Sequence, residues 1–116
     1  MKSSSNNTTL IGAKGEAMAK DYLSAKGYDI LQQNYRYRRA EIDIIAKYHD
    51  VLIFVEVKYR KSAEYGTPES FVSETKKEHL QSAANKYMED AGWHSYIRFD
   101  IVAIVEQEIL HLEDVF

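Results

Sequence analysis

Between residues 11 and 26, Ile11, Gly15, Met18, Tyr22 and Ala25 recur at spacings of three and four, and Ala19 and Leu23 widen the stripe. That period predicts a helix with one buried face, and Gly27 is a fitting C-terminal stop. Glu16 sits at the edge of the stripe, near Leu23. Residues 28–36 then predict a short strand with Ile30 and Leu31 as apolar anchors, followed by the basic and aromatic run Tyr35-Arg36-Tyr37-Arg38-Arg39. Residues 41–47 and 51–60, rich in β-branched residues, predict the two clearest strands, joined by a hairpin around Tyr48-His49-Asp50. A loop over 62–68 holds Pro68, the only proline. A second helix is expected from Pro68 or Glu69 to Ala91, with Phe71, Val72, Leu80, Ala83, Ala84 and Tyr87 as apolar contacts and Gly92 as its end. Residues 95–105 and 108–115 predict two more strands, the second a candidate edge strand. The order α-β-β-β-α-β-β predicts an α/β fold, a mixed sheet flanked by helices.

Two strands carry acid where a sheet interior disfavours it: Glu41-Ile42-Asp43 and Val55-Glu56-Val57-Lys58. A carboxylate in such a place costs several kcal/mol unless a cation or hydrogen-bond donor compensates it. Side chains alternate along a strand. Glu41, Asp43 and Ile45 therefore share one face, and Ile42, Ile44 and Ala46 the other. On the next strand Leu52, Phe54, Glu56 and Lys58 oppose Val51, Ile53, Val55 and Val57. A hairpin loop with an even number of residues puts Asp43 on the face of Glu56 and Lys58, and an odd one separates them.

With 116 residues and 45% apolar content the chain is expected to be one domain with one core. Residues 1–10 are polar and read as a disordered arm with no signal-peptide h-region, and residues 11–116 read as the domain. No cysteine is present, which excludes disulfides, thiolate catalysis and cysteine-ligated zinc. No stretch reaches the roughly 18–20 apolar residues of a membrane span, and the expected location is cytoplasmic. The net charge of −3 does not suggest a polyanion binder, but its distribution changes that picture. Residues 31–61 hold seven basic and four acidic side chains, against eight and fourteen elsewhere.

Hard divalent cations such as Mg²⁺ take one or two protein carboxylates and keep water. Asp43 and Glu56 suit that demand, with the Val57 carbonyl as a candidate further ligand. Lys58 points to the face of Glu56, where it can orient an attacking water or stabilise charge on a phosphate. Glu16 can reach such a site from the first helix. The alternative is that Glu56 and Lys58 form a solvent-facing pair and Glu16 is helix surface. Glu41 reads as a supporting group or a partner for a nearby arginine.

The series Gly15-Glu16, Ala19, Tyr22-Leu23, Gly27-Tyr28, Ile30-Leu31, Asn34-Tyr35-Arg36, Glu41-Ile42-Asp43-Ile44-Ile45-Ala46, Phe54-Val55-Glu56-Val57-Lys58, Arg60, Gly66, Pro68, Val72, Lys76 and Arg98-Phe99-Asp100 resembles the YraN-like family of small bacterial proteins. That family is assigned to the restriction-endonuclease-like PD-(D/E)xK nucleases and is similar to archaeal Holliday junction resolvases. The resemblance spans about residues 12–105. It implies a restriction-endonuclease-like core and dependence on Mg²⁺ or Mn²⁺. It also implies Asp43 and Glu56 as metal-binding acids, Lys58 as catalytic lysine and Glu16 as the helix acid that completes the site. One departure is Ala40, where the family usually has glycine, which matters only if that position needs positive φ.

Tyr35-Arg36-Tyr37-Arg38-Arg39 alternates stacking and phosphate-contacting side chains, and Arg60, Lys61 and Lys76 extend the basic track. The bland counterpart is a cation-decorated edge strand that discourages aggregation. His49, His79, His94 and His111 show no ligand spacing and are expected at the surface or its boundary. Trp93 is expected to cap the core. Asp100 is expected to be a structural acid paired with Arg98 or another arginine. The leading functional expectation is a metal-dependent endonuclease acting on DNA, branched or structured DNA foremost. A non-catalytic nucleic-acid-binding or scaffolding module is the alternative, and an RNA-directed nuclease is a third. Symmetric cutting of two strands would call for a homodimer.

Overall fold

A computed structural model describes residues 3–60 and 73–116, with side chains of the first helix described from Gly12 onward. Helix α1 spans Ser3–Ala25, and strands β1, Asp29–Tyr37, β2, Ala40–Tyr48, and β3, Val51–Arg60, follow. Helix α2, Glu74–Ala91, leads to β4, Tyr96–Val105, and β5, Glu108–Leu112. The five strands form one sheet in the order β1-β2-β3-β4-β5. All neighbours are antiparallel except β3 and β4, which run parallel. The parallel pair requires a crossover, and α2 supplies it. The result is the expected mixed α/β sheet with one helix on each face.

On the α1 face, Ala19 and Leu23 pack over Ile44, Ala46, Ile53, Val55 and Val102. On the other, Leu80, Ala83 and Ala84 of α2 cover Ile42, Ile45, Leu52, Phe54 and Phe99. Each fully buried large aliphatic or aromatic side chain contributes roughly 1.5–3 kcal/mol. Gly15 sets how closely α1 approaches the sheet: a Cβ there would lie 2.8 Å from the Tyr59 ring and 3.0 Å from its Cβ.

Several expectations change in detail. The buried stripe of α1 centres on Gly15, Ala19 and Leu23, and Ala25 is exposed. Helix α1 begins at Ser3, inside the polar segment where apolar periodicity carries no signal. Helix α2 begins at Glu74, later than expected, because the Ser73 side chain caps it by accepting the Lys76 N–H. Its end is as expected, with Gly92 at φ 66° in the left-handed region. The 62–68 loop, Phe71, Val72 and the helix start at Pro68 or Glu69 lie outside the described residues.

Leu31 is 46% exposed instead of an anchor, because the β1–β2 register shifts between Ile30 and Gln32 and leaves it unpaired. Strand β5 stops at Leu112. Asp114 then turns at φ 57°, Val115 donates its N–H to the Phe99 carbonyl, and Phe116 stacks on the Phe99 ring.

The hairpin loop between β2 and β3 is His49-Asp50, an even two residues, and Ile45 pairs with Phe54. The face of Phe54 therefore continues to Glu56 and Lys58 on the α2 side. Ile42, expected with Ile44 and Ala46, packs instead in the α2-side cluster. The neighbouring strand is irregular at the same level: Asn34, between the Gln33–Ile44 and Tyr35–Ile42 pairs, takes φ 54°. Ala40 is buried and is not among the residues with positive φ, so alanine meets the needs of that position.

Candidate active site

Described β2–β3 pairing ends at Ile44 and Val55. Beyond that point the Val57 N–H has no ladder partner on β2, and it donates instead to Asp43 Oδ2 at 2.8 Å. The divergence of two paired strands thus brings the Asp43 carboxylate against β3. One residue earlier, Glu56 is 8% exposed, and Lys58 is 9% exposed. Lys58 Nζ lies 3.3 Å from Glu56 Oε2, and Lys76, from the first turn of α2, contacts the same oxygen. Among the described residues Glu56 Oε1 is buried with no hydrogen-bond partner.

On the α1 side, Asn34 Nδ2 donates to Glu16 Oε1 and to Glu41 Oε2, each at 3.0 Å. Arg36 also reaches Glu41, at 3.6 Å. One amide therefore ties the helix acid to the strand acid beside Asp43. Asn34 went unremarked in the sequence as a site residue. Its signal was asparagine inside a strand, a residue type depleted there and enriched at left-handed φ.

The electrostatics follow from this crowding. Burial first, then the Glu56 charge, push the Asp43 carboxyl up to about 7, with Glu16 and Glu41 adding to the push and the Val57 N–H opposing it. Burial pulls the Lys58 ammonium down, and Lys76 pulls it further, against the attraction of Glu56. Burial also disfavours charge on Lys76, but its hydrogen bond to Glu56 and the Glu56 charge, with Lys58 and Asp43 adding to them, together raise it.

Glu16, Asp43, Glu56 and Lys58 thus converge from α1, β2 and β3. Among the described residues no group of three or more His, Asp or Glu side chains is arranged to hold a metal ion. Two carboxylates nonetheless suit a hard divalent cation, and Glu56 Oε1, without a hydrogen-bond partner among the described residues, is an oxygen available to a cation. Val57 enters the site through its N–H.

The expected basic track divides. Arg36 is paired with Glu41, and Lys76 is drawn into the site by Glu56. Arg60 is half-buried and donates to the Tyr59 carbonyl at 3.1 Å. Arg38 and Arg39 form the exposed β1–β2 turn, and Lys61 lies outside the described residues.

A second polar cluster lies on β4. Asp100, 1% exposed, accepts from Arg98 Nε at 2.8 Å and Nη2 at 2.7 Å, and from the Asp114 N–H at 3.0 Å. His111, its side chain 3% exposed, is no boundary residue. Its Nε2 lies 2.7 Å from Asp100 Oδ2, and its Nδ1 lies 3.1 Å from Lys26 Nζ. An ammonium only donates, so Nδ1 accepts and Nε2 carries the proton given to Asp100. Burial favours the neutral acid, but the bonds from His111, Arg98 and Asp114 reverse this and hold Asp100 below its ordinary value. This is the expected structural role of Asp100. Trp93 packs against the α2-side core, as expected, and donates to the Tyr96 carbonyl at 3.0 Å.

Fold and site together define a small α/β protein with a paired-acid and lysine cleft at the point where two strands diverge. The sequence profile described as "Uncharacterised protein family UPF0102" matches residues 15–104, and the chain belongs to that family. The YraN-like resemblance is borne out at this level. A UPF0102 protein of Christiangramia forsetii is 44% identical over 110 residues, covering 91% of this chain and 92% of the relative. Others from Cytophaga hutchinsonii and Thermodesulfovibrio yellowstonii are 43% and 42% identical, covering 90% and 91% of this chain and 93% and 95% of the relatives. No described helix is long and apolar enough to cross a membrane.

Proposed function

We propose that the protein is a Mg²⁺- or Mn²⁺-dependent endonuclease that hydrolyses phosphodiester bonds of DNA, with branched or structured DNA as the foremost substrate. Its core is then restriction-endonuclease-like, of the PD-(D/E)xK kind, and similar to archaeal Holliday junction resolvases. The observation that carries this reading is the buried Asp43 and Glu56 pair beside Lys58, with Glu56 Oε1 left without a hydrogen-bond partner among the described residues.

Asp43 and Glu56, with the Val57 carbonyl, would hold the cation. When bound, it supplies Lewis-acid activation of the phosphate and a more acidic water. Lys58 orients the attacking water and meets negative charge building on the phosphate. Glu16, held by Asn34, completes the acid set from α1. Arg38 and Arg39 offer positive charge to the backbone. Cutting both strands symmetrically requires two sites, which a homodimer supplies. The proposed setting is the cytoplasm.

The test is a panel of linear, nicked, flap, four-way and single-stranded DNA, with RNA included, incubated with each divalent metal. Wild type should cleave at least one form, and Asp43→Ala and Glu56→Ala should abolish cleavage. Unchanged activity in either variant would sink the assignment.

One observation favours a non-catalytic nucleic-acid-binding or scaffolding module instead: Lys58 and Lys76 already neutralise Glu56 from within the fold. Calorimetric titration with Mg²⁺ and Mn²⁺ separates the readings, because retained DNA affinity without metal binding supports the module.

A further inference from the structure

Between the β1–β2 turn and α2 lies a cavity of about 260 Å³, lined by Tyr37, Arg38, Arg39, His79 and Ser82. No acid lines it. Among the described residues neither Arg38 nor Arg39 has an ion-pair partner, whereas Arg36, two positions before Arg38, is neutralised by Glu41. Two unneutralised guanidiniums, an imidazole and a hydroxyl on one concave surface suit a phosphate: five donors per arginine, a polar floor and no competing negative charge.

The backbone adds a second observation. Arg38 sits at φ 57° in a tight hairpin turn. Asparagine or glycine adopts that conformation with less strain, so arginine there carries a local conformational cost. Its guanidinium lies 5.1 Å from the Tyr37 ring centroid, which steadies it at the lip of the cavity. A strained cation held at a cavity mouth points to a ligand contact.

The cavity also lines up with the acid site. Arg39 precedes Asp43 by four residues, roughly 13 Å along an extended strand. On α2, Lys76 touches Glu56, and His79 and Ser82 follow at i+3 and i+6, roughly 4.5 and 9 Å along the helix. The cavity and the acid site therefore draw on the same two segments, β2 with the turn that precedes it and α2, at these separations along each. At about 3.4 Å of rise per nucleotide, 13 Å corresponds to about four nucleotides of a duplex strand.

We propose that this cavity is a phosphate-binding subsite that grips the polynucleotide backbone two to four nucleotides from the Asp43 and Glu56 site, on one side only. The proposal rests on the nuclease reading for its substrate class. It adds His79, Ser82 and Tyr37 to the contact set and gives the strand a direction.

The test measures affinity, so it does not depend on turnover. Wild type and Arg38→Ala/Arg39→Ala are titrated with single-stranded and four-way oligonucleotides at several salt concentrations in Mg²⁺-free buffer. The double variant should bind roughly five- to tenfold more weakly, and the slope of log Kd against log salt should fall by about one. Ser82→Glu, an exposed helix substitution that places an acid in the cavity, should weaken binding at least as much with thermal stability unchanged. Single neutral methylphosphonate linkages scanned along the strand should cost wild type affinity at one flanking position, and that cost should vanish in the double variant.

Equal affinity and salt slope in both variants would overturn the subsite, as would absence of polynucleotide binding by wild type. If wild type binds strands with this pattern but cuts none of them, the subsite stands and the nuclease reading falls.

Discussion

Asp43→Asn is expected to stabilise the metal-free protein while abolishing cleavage. Burial and the charge of Glu56 raise Asp43 to about 7 from an ordinary 3.8. A carboxylate raised in the folded state binds its proton more tightly there than in the unfolded chain. Wild-type stability therefore falls as pH climbs from about 4 through about 7, and the full cost is present above that window. At about 1.36 kcal/mol for each tenfold change in proton affinity, the ceiling on that cost is about 4 kcal/mol. Asp43 stays partly open to solvent, which screens the charge and reduces the recoverable part to about 2 kcal/mol. Asparagine keeps an acceptor for the Val57 N–H and carries no charge. Thermal unfolding in chelator should place the variant roughly 8 °C above wild type at pH 8, with the gain vanishing near pH 4. Adding Mn²⁺ should raise the midpoint of wild type and leave that of the variant unmoved. A variant no more stable than wild type at pH 8, or one whose gain persists at pH 4, refutes the argument that Asp43 is a strained acid.

Three further outcomes follow from the packing and the charges. Asp100→Asn should cost about 3 kcal/mol near neutral pH, because it leaves Arg98 facing a half-satisfied partner. As the folded value of Asp100 is depressed, its stabilising contribution is present above about 4 and is lost as pH falls through the folded value; urea titrations from pH 7 to 3 should show the variant's deficit shrinking. Gly15→Ala should destabilise by about 1 kcal/mol despite alanine's better helix propensity, since the new Cβ meets Tyr59 at 2.8 Å and thermal melts will register the strain. Lys76→Met should tighten Mn²⁺ binding roughly three- to tenfold, because the displaced ammonium occupies Glu56 and repels an incoming cation; calorimetry showing unchanged or weaker binding would contradict that role.

Much of this architecture was legible in local pattern. The period of three and four marked the Gly15, Ala19 and Leu23 face, and Gly27 and Gly92 marked both helix ends. Strands β2, β3 and β4 were readable because their β-branched runs are long and bounded by turns. The acids were conspicuous because Asp43 and Glu56 interrupt those runs. Parity gave a condition that the two-residue loop His49-Asp50 meets, but alternation breaks between Ile44 and Ile42, so the contact of Asp43 with β3 rests on the Val57 N–H and not on parity.

What pattern missed depends on contacts between distant segments. Asn34 looked like a polar residue in a strand, and only the fold shows its left-handed backbone at an irregular point of the β1–β2 pair and its amide tying Glu16 to Glu41. Ile42 changed faces at the same level, and Leu31 was expelled by a register shift. His111 has no local signature because its partner Asp100 lies across a strand pair. Lys76 reads in the sequence as part of the basic track, and only the placement of α2 over β3 brings it onto Glu56. The sequence by itself determined most of the elements and the buried stripe of α1, and it singled out Asp43 and Glu56 as acids in apolar strands, since these follow from periodicity and side-chain type. Tertiary structure decided where β2 leaves β3, which cations neutralise Glu56 and that Arg36 pairs with Glu41. Those outcomes are set by distances between groups on different elements, which no local pattern encodes.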